Sequence, residues 1–154
     1  MKIVLFRFEA ELIHVLELEK NWENISLWEK KKISIVEKNR WEKYSKILEI
    51  FTEIKNNFWP EYFAFQSPMK YRWVIKDEEW YVWWALLHWF GNQNNTEILE
   101  FSNSFVRNEL KLSAKDFKEL LESQKNKILE NHKIAKSDKL LDGLISLSLL
   151  EINN

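Results

Sequence analysis

Few side chains in this sequence have the types and the spacing that chemistry requires. Glu11 and His14 form a single E-x-x-H pair, which would place a carboxylate and an imidazole on one face of a helix. Helical di-iron sites need two such pairs and two further glutamates. Because the second pair is absent, we expect His14 to be structural and the chain to bind no metal and no other cofactor.

The usual catalytic motifs are absent as well. The sequence contains no glycine-rich phosphate loop, no H-E-x-x-H zinc motif and no G-x-S-x-G nucleophile motif. It has two glycines and no cysteine, which excludes a glycine-rich cradle, a disulfide and a thiolate nucleophile. His88 lies within an apolar run and is predicted to be a buried structural histidine. We therefore predict that the protein is not an enzyme.

One short segment has the composition of a nucleic-acid binder. Lys70, Tyr71, Arg72 and Trp73 alternate cations with aromatic rings, as proteins that bind single strands do. An acidic block follows this segment at once, and the formal net charge of the chain is −1. Nucleic-acid binding depends on cations that neutralise phosphates. The balance predicts no nucleic-acid partner.

The acidic block is the strongest candidate for a binding surface. Residues 77–110 contain one basic side chain and six acidic ones, a net charge of −5. Such a surface favours a cationic protein partner. A solvated face that keeps an apolar protein soluble is the alternative interpretation. The predicted partner-binding residues are Asp77, Glu78, Glu79, Glu97 and Glu100.

A tryptophan-rich segment is predicted to be the central helix of the fold. Residues 71–91 hold five of the nine tryptophans, and each aromatic side chain can bury about 150–250 Å². Asp77 is suited to cap the start of this helix and Gly91 to end it. Residues 71–84 also have β propensity, so a strand remains the alternative there. The side chains predicted to be mostly buried are Trp80, Trp83, Trp84 and Leu87.

Apolar residues recur at helical spacing in the rest of the chain. Further helices are predicted over residues 3–18, from Ser26, from Arg40 to before Pro60, and from Thr96, Ser113 and Ser137. Residues 3–8 have strand character as an alternative. The prediction is an all-α fold, a single compact helical domain over residues 1–154 with about six helices around the tryptophan-rich one.

The sequence also bears on the cellular compartment. Its longest apolar run is shorter than the roughly 20 residues that a membrane-spanning helix needs. The apolar start of the chain is followed by Glu9 and Glu11 without a small-residue cleavage site, so no export signal is predicted. We predict a cytoplasmic protein that has no membrane partner.

Two segments resemble those of helical immunity proteins that neutralise bacterial polymorphic nuclease toxins. One is the run DEEWYVWWALLHWFG with its polar loop, and the other is SDKLLDGLI at residues 137–145. The residues that match the family's D-x-L-[IL]-D-x-L-I element are Asp138, Leu140, Leu141, Asp142, Leu144 and Ile145. The resemblance implies a cytosolic inhibitor without catalytic residues that binds and neutralises a cognate, cationic toxin domain.

Two other functions remain open at this point. A phage or plasmid inhibitor of a host defence system would use the same kind of surface against a different partner. A small enzyme or ligand-binding domain would instead use a tryptophan-lined pocket near His88. The toxin inhibitor is the predicted function.

Overall fold

The computed structural model describes residues 1–9, 11–21, 24–67 and 78–152, with only the backbone described for residues 78–80. The strands in these ranges are β1 (Lys2–Glu9), β2 (Leu12–Lys20), β3 (Ile25–Ser34), β4 (Tyr62–Gln66) and β5 (Glu97–Phe101). The helices are α1 (Arg40–Phe58), α2 (Glu78–Gln93), α3 (Asn103–Leu110), α4 (Ala114–Asn131) and α5 (Leu141–Leu149).

A mixed five-stranded sheet lies at the centre of the fold. Its strand order is β3-β2-β1-β4-β5. The first three strands are antiparallel neighbours, whereas β4 runs parallel to β1 and β5 runs parallel to β4. The prediction of an all-α fold is therefore wrong, and the chain has an α/β fold.

The central position of β1 explains why its apolar pattern suggested a helix. Ile3, Val4, Leu5 and Phe6 are all buried, because helices cover both faces of the sheet at this strand. A strand buried on both faces appears as a continuous apolar run, whose periodicity does not separate it from a buried helix. The strand alternative for residues 3–8 is the correct one.

Three predicted helix starts are also wrong. Ser26 lies within β3, and Thr96 directly precedes β5. The last helix begins after Leu140 without a side-chain cap, rather than at Ser137. Ser and Thr hydroxyls also bond to the backbone in turns, so a lone hydroxyl before an apolar run does not identify a helix start.

The predictions for the longer helices are confirmed. α1 begins after Asn39, whose side chain accepts hydrogen bonds from two backbone N–H groups, and it ends before Pro60. Ser113 caps α4 by accepting from a backbone N–H three residues later. The tryptophan-rich run forms α2, although Gly91 lies inside this helix instead of ending it. Asp77, its predicted cap, lies outside the described residues.

The helices divide between the two faces of the sheet. α1 and α2 cover one face, where the buried side chains include Phe6, Phe51, Phe63, Trp83 and Phe90. The other face is covered by α3, α4 and α5, with a mainly aliphatic core that includes Leu5, Leu16, Leu141, Leu144 and Ile145. We call these the aromatic face and the aliphatic face.

The burial prediction for α2 is confirmed for two of its residues. Trp83 is 2% exposed and Leu87 is fully buried. Trp84 retains 37% exposure and lies on the solvent side of the helix, so the prediction is wrong for this residue. The side chain of Trp80 is outside the described part of the chain.

None of the helices in the described ranges combines the length and the apolar character that crossing a membrane requires. The single domain and the cytoplasmic location remain predictions.

Candidate functional site

The fold brings the carboxyl ends of two central strands together. β1 and β4 are parallel neighbours, so both end at the same edge of the sheet. In open α/β sheets, ligands bind outside the carboxyl ends of the strands. We therefore take this edge as the candidate site and call it the carboxyl edge.

Arg7 and Gln66 lie side by side at the carboxyl edge. The register pairs Phe6 with Phe65, so the next residues of the two strands are neighbours. Side chains alternate between the faces of a strand, and Arg7 follows the buried Leu5 on the aliphatic face. This edge therefore presents a cation and an amide next to each other.

The guanidinium of Arg7 is held by its surroundings yet remains reachable from solvent. Its Nη1 donates a hydrogen bond to the carbonyl oxygen of Lys139, at 3.2 Å, in the segment before α5. Its Nε lies 3.7 Å from Oε1 of Glu9, and the side chain is 45% exposed. The same Glu9 oxygen lies 3.4 Å from Nε2 of His14, a buried residue of β2.

Asp138 ties the start of α5 to the edge strand β3. Its Oδ2 accepts a hydrogen bond from Nζ of Lys30, and its Oδ1 accepts one from the backbone N–H of Leu140, at 2.9 Å. Burial would raise the pKa of Asp138, but these two hydrogen bonds, with the charges of Lys30 and His14, hold it below its ordinary value. The carboxylate therefore stays ionised and fixes the segment that holds Arg7.

A network of amides and a hydroxyl completes the site at the end of β4. Oδ1 of Asn103 accepts hydrogen bonds from Nε2 of Gln66, at 3.1 Å, and from Oγ of Ser146, at 2.6 Å. α5 packs on the sheet here, where a Cβ at Gly143 would make ordinary contacts at 3.4 Å with Leu5 and at 3.8 Å with Oε1 of Gln66. The network orients Gln66 beside Arg7.

The chemistry of this set suits an anion better than a metal ion. Nowhere in the described ranges do three or more His, Cys, Asp or Glu side chains come together in a way that could hold a metal ion. Glu9 and Asp138 each contact a cation instead. A guanidinium binds phosphate through paired, charge-assisted hydrogen bonds. A phosphate group is therefore the ligand that the described residues of the carboxyl edge fit.

The residues singled out from the sequence are placed elsewhere. Glu97 and Glu100 both lie on β5, three positions apart, so they point to opposite faces of the strand. Oxygens of Glu100 accept hydrogen bonds from Oγ of Ser67, at 2.8 Å, and from Nε1 of Trp84, at 3.0 Å. His88 lies close to the same carboxylate, with Nε2 3.6 Å from Oε2.

The remaining predicted residues lie mostly outside the described part of the chain. Asp77 and the side chains of Glu78 and Glu79 lie outside the described part, so a role of the five carboxylates in binding stays a prediction. Glu11 and His14 do not share a helix face, because the segment from residue 12 is strand β2. The nucleic-acid-like segment at residues 70–73 also lies outside the described residues.

Sequence reasoning missed Arg7, Gln66 and Asn103. Arg7 and Gln66 each come near the end of a buried strand, which is where polar ligand-binding residues of α/β sheets stand. That signal was present in the runs KIVLFRFE and YFAFQ. It was hidden because the first run was interpreted as part of a helix and the second lies outside every predicted element.

The fold is similar to that of Holliday junction resolvases. RuvC of Thermus thermophilus in complex with a Holliday junction substrate matches with a TM-score of 0.69 and 14% identity, over 97% of this chain and 91% of that chain. A second Thermus thermophilus RuvC structure matches with a TM-score of 0.68 and 14% identity, over 97% and 92% of the two chains. The fowlpox virus resolvase, in complex with its substrate Holliday junction DNA, matches with a TM-score of 0.53 and 16% identity, over 97% and 93%. No family model and no curated protein matches the sequence.

These matches correct the identification made from the sequence. The resemblance to helical immunity proteins is wrong, because the chain has the α/β fold of resolvases. The predicted toxin inhibitor with a cationic toxin partner is therefore wrong as well, and the two alternatives fit the fold no better. The predictions of no enzyme and no nucleic-acid partner are also contradicted by these matches, because the matched proteins are resolvases and two of them are seen with junction DNA.

Proposed function

We propose that this protein binds four-way or similarly branched DNA, and that the carboxyl edge around Arg7 contacts its phosphates. The observation that carries the proposal is the fold match over 97% of the chain to a RuvC in complex with a Holliday junction. At 14% identity the match shows the fold alone. The side chains of this protein must therefore supply the rest of the argument.

The cations near the carboxyl edge support a DNA ligand. Lys30 and Lys32 of β3 pair with residues of β2 that face the aliphatic side, so both lie on the same face as Arg7. Lys139, whose carbonyl holds Arg7, is exposed. The net charge of −1 does not oppose DNA binding, because phosphate contacts depend on where the cations stand.

Contact with the phosphate is direct in this proposal. Two-metal nucleases hold a pair of divalent cations with carboxylates, and the described residues of this edge do not supply such a set. Arg7 and Gln66 offer hydrogen-bond donors to a phosphate without a bridging cation. Binding should therefore persist when divalent cations are chelated, and it should weaken steeply as monovalent salt rises.

The experiment compares a labelled four-way junction with linear duplexes of the same arm sequences, by fluorescence anisotropy in the presence of a chelator. We expect the junction to bind about tenfold or more tightly than the duplexes, because one branch point presents several phosphates to one edge. Equal affinity for junction and duplex, or no binding to either, would overturn the proposal. Adding Mg²⁺ in excess of the chelator to the same samples tests for strand cleavage. This activity is tested first because the proteins with a similar fold are resolvases.

A further inference from the structure

One carboxylate at the carboxyl edge lies between two basic side chains. Oε1 of Glu9 is 3.7 Å from Nε of Arg7 and 3.4 Å from Nε2 of His14. Both basic groups therefore face the same oxygen atom. A charge-assisted hydrogen bond between nitrogen and a carboxylate oxygen is shorter, about 2.7–2.9 Å. The carboxylate of Glu9 is thus shared between two neighbours and bonded tightly to neither.

The imidazole of His14 is buried next to this carboxylate. The residue is 6% exposed, and its Nε2 is shielded from solvent and forms no hydrogen bond with the described residues. Buried imidazole nitrogens usually have a hydrogen-bond partner. Both ring nitrogens of a protonated histidine are donors, so protonation gives Nε2 a charged acceptor in Glu9. A charge on His14 therefore acts on Glu9 more than on solvent.

Other charged groups face His14 from the neighbouring elements. Lys32 of β3 is its partner in the strand register, and Lys30 lies two residues away on the same face. Asp138, in the segment before α5, bonds to Lys30 and is close enough to interact with the charge of His14. Among these types of side chain, histidine is the one whose charge ordinarily changes between about pH 5 and 8. The charge of this cluster is therefore set by His14 in that range.

We propose that His14 is a positioning residue that controls, through Glu9, how strongly Arg7 binds a phosphate. With a neutral imidazole, the guanidinium and the carboxylate neutralise each other. Protonation of His14 gives the three groups a net positive charge and gives Glu9 a second cation to pair with. The guanidinium is then available to a phosphate, while its hydrogen bond to the carbonyl oxygen of Lys139 keeps it in place. Junction DNA should bind more tightly at acidic pH.

This inference rests on the proposed function, because it concerns the phosphate contact of Arg7. The interaction of Glu9 with its two basic neighbours does not itself require DNA. The test therefore has two readouts, one with junction DNA and one with the protein alone.

The first readout is the dissociation constant for the four-way junction at about pH 5.5 and about pH 8, at constant ionic strength and with a chelator. We expect the unmodified protein to bind about fivefold more tightly at the lower pH, because releasing an exposed ion pair is worth up to about that factor. His14→Gln should bind equally at both values. His132→Gln, at the histidine that follows α4, is the matched control and should keep the difference.

A second variant changes the carboxylate instead of the imidazole. Glu9→Gln leaves the guanidinium without its acidic neighbour, so the variant should bind the junction at the higher pH at least as tightly as the unmodified protein does at the lower one. The side chain of Glu9 is 35% exposed, so this variant serves if circular dichroism shows that His14→Gln does not fold. A Glu9→Gln affinity equal to that of the unmodified protein at the higher pH would overturn the proposal.

The second readout is the NMR signal of the guanidinium carbon Cζ of Arg7 in the protein without DNA. It should move between the two pH values in the unmodified protein and stay in place in His14→Gln. Junction binding whose pH dependence survives in His14→Gln, or an Arg7 signal that ignores His14, would overturn this inference and leave the proposed function standing. An Arg7 signal that follows His14 in a protein that binds no junction would overturn the proposed function.

Discussion

The two faces of the sheet are built from different side chains and serve different purposes. On the aromatic face, the rings of Phe63 and Phe90 stack at 5.6 Å, and Phe6 meets Phe51 edge to face at 5.4 Å. On the aliphatic face, α5 places Gly143 next to Leu5 and Gln66, and Ser146 next to Asn103. Large rings fill space and bury area, whereas this helix brings a short polar side chain to the sheet edge. The comparison separates a face that mainly stabilises the fold from a face that positions the site.

The largest expected effect is on the aromatic face. Trp83 is buried against Phe8, with ring centroids 5.0 Å apart. Trp83→Ala should lower the free energy of unfolding by about 3–5 kcal/mol, since it removes a large buried side chain and leaves a cavity. Trp84→Ala, at the exposed neighbouring position, should lower it by about 1 kcal/mol or less. Urea denaturation measures both free energies. Equal midpoints for the two variants would contradict the difference in burial between Trp83 and Trp84.

Substitutions at the two glycines are expected to have effects of intermediate size on stability. At Gly91 of α2, an added Cβ would lie 2.7 Å from the side chain of Ile98 and 2.7 Å from the backbone oxygen of Thr96. Gly91→Ala should therefore destabilise the protein by about 1–3 kcal/mol. At Gly143 of α5, the nearest atom is a side-chain carbon of Leu5 at 3.4 Å, so the gain in helix propensity of up to about 1 kcal/mol offsets the contact. Thermal melting compares them, and a Gly91→Ala protein as stable as Gly143→Ala would contradict this packing.

The smallest expected effect concerns the ion pair that fixes α5 to β3. The pKa of Asp138 is lowered from 3.8 in the folded protein, so its contribution to stability is present above that value. As the pH falls below 3.8 and through the lower folded pKa, this contribution should be lost. Because Lys30 is half-exposed, about 1 kcal/mol or less is involved. Asp138→Asn should flatten this part of the stability curve between pH 2 and 5, and an unchanged curve would show that the pair contributes nothing.

Elements with a single buried stripe could be predicted from the sequence. In α1 and α4, apolar side chains recur every three or four residues among charged ones. Each of these helices also has a polar cap that accepts backbone hydrogen bonds. β1 and β2 could not, because their residues are buried on both faces and show no alternation. β3 carries three consecutive lysines at the edge of the sheet, and they interrupt the alternation of apolar and polar side chains that would identify a strand. Strand pairing joins residues that are far apart in the chain, so a local sequence pattern does not reveal which strands pair.

The candidate site was predictable only in part. Asp138 and Asp142 were singled out for a resemblance that proved wrong, although Asp138 does hold the segment beside Arg7. Arg7 and Gln66 are 59 positions apart in the sequence, and only the parallel pairing of β1 with β4 makes them neighbours. The acidic surplus of residues 77–110 is a property of the sequence, and its described members are spread over different elements. Glu78 and Glu79 lie on α2, and Glu109 lies on α3. Glu97 and Glu100 lie on opposite sides of β5.

The most direct test asks whether Arg7 on the aliphatic face binds the junction. Arg7→Gln removes the guanidinium at a half-exposed position, and Lys118→Gln removes a charge from the exposed side of α4. Dissociation constants for a four-way junction are measured for both variants with a chelator present. We predict that Arg7→Gln weakens binding by about tenfold or more, because a charge-assisted phosphate contact is lost, while Lys118→Gln stays within about twofold. Equal affinities for the two folded variants would contradict the assignment of the carboxyl edge as the DNA-binding site.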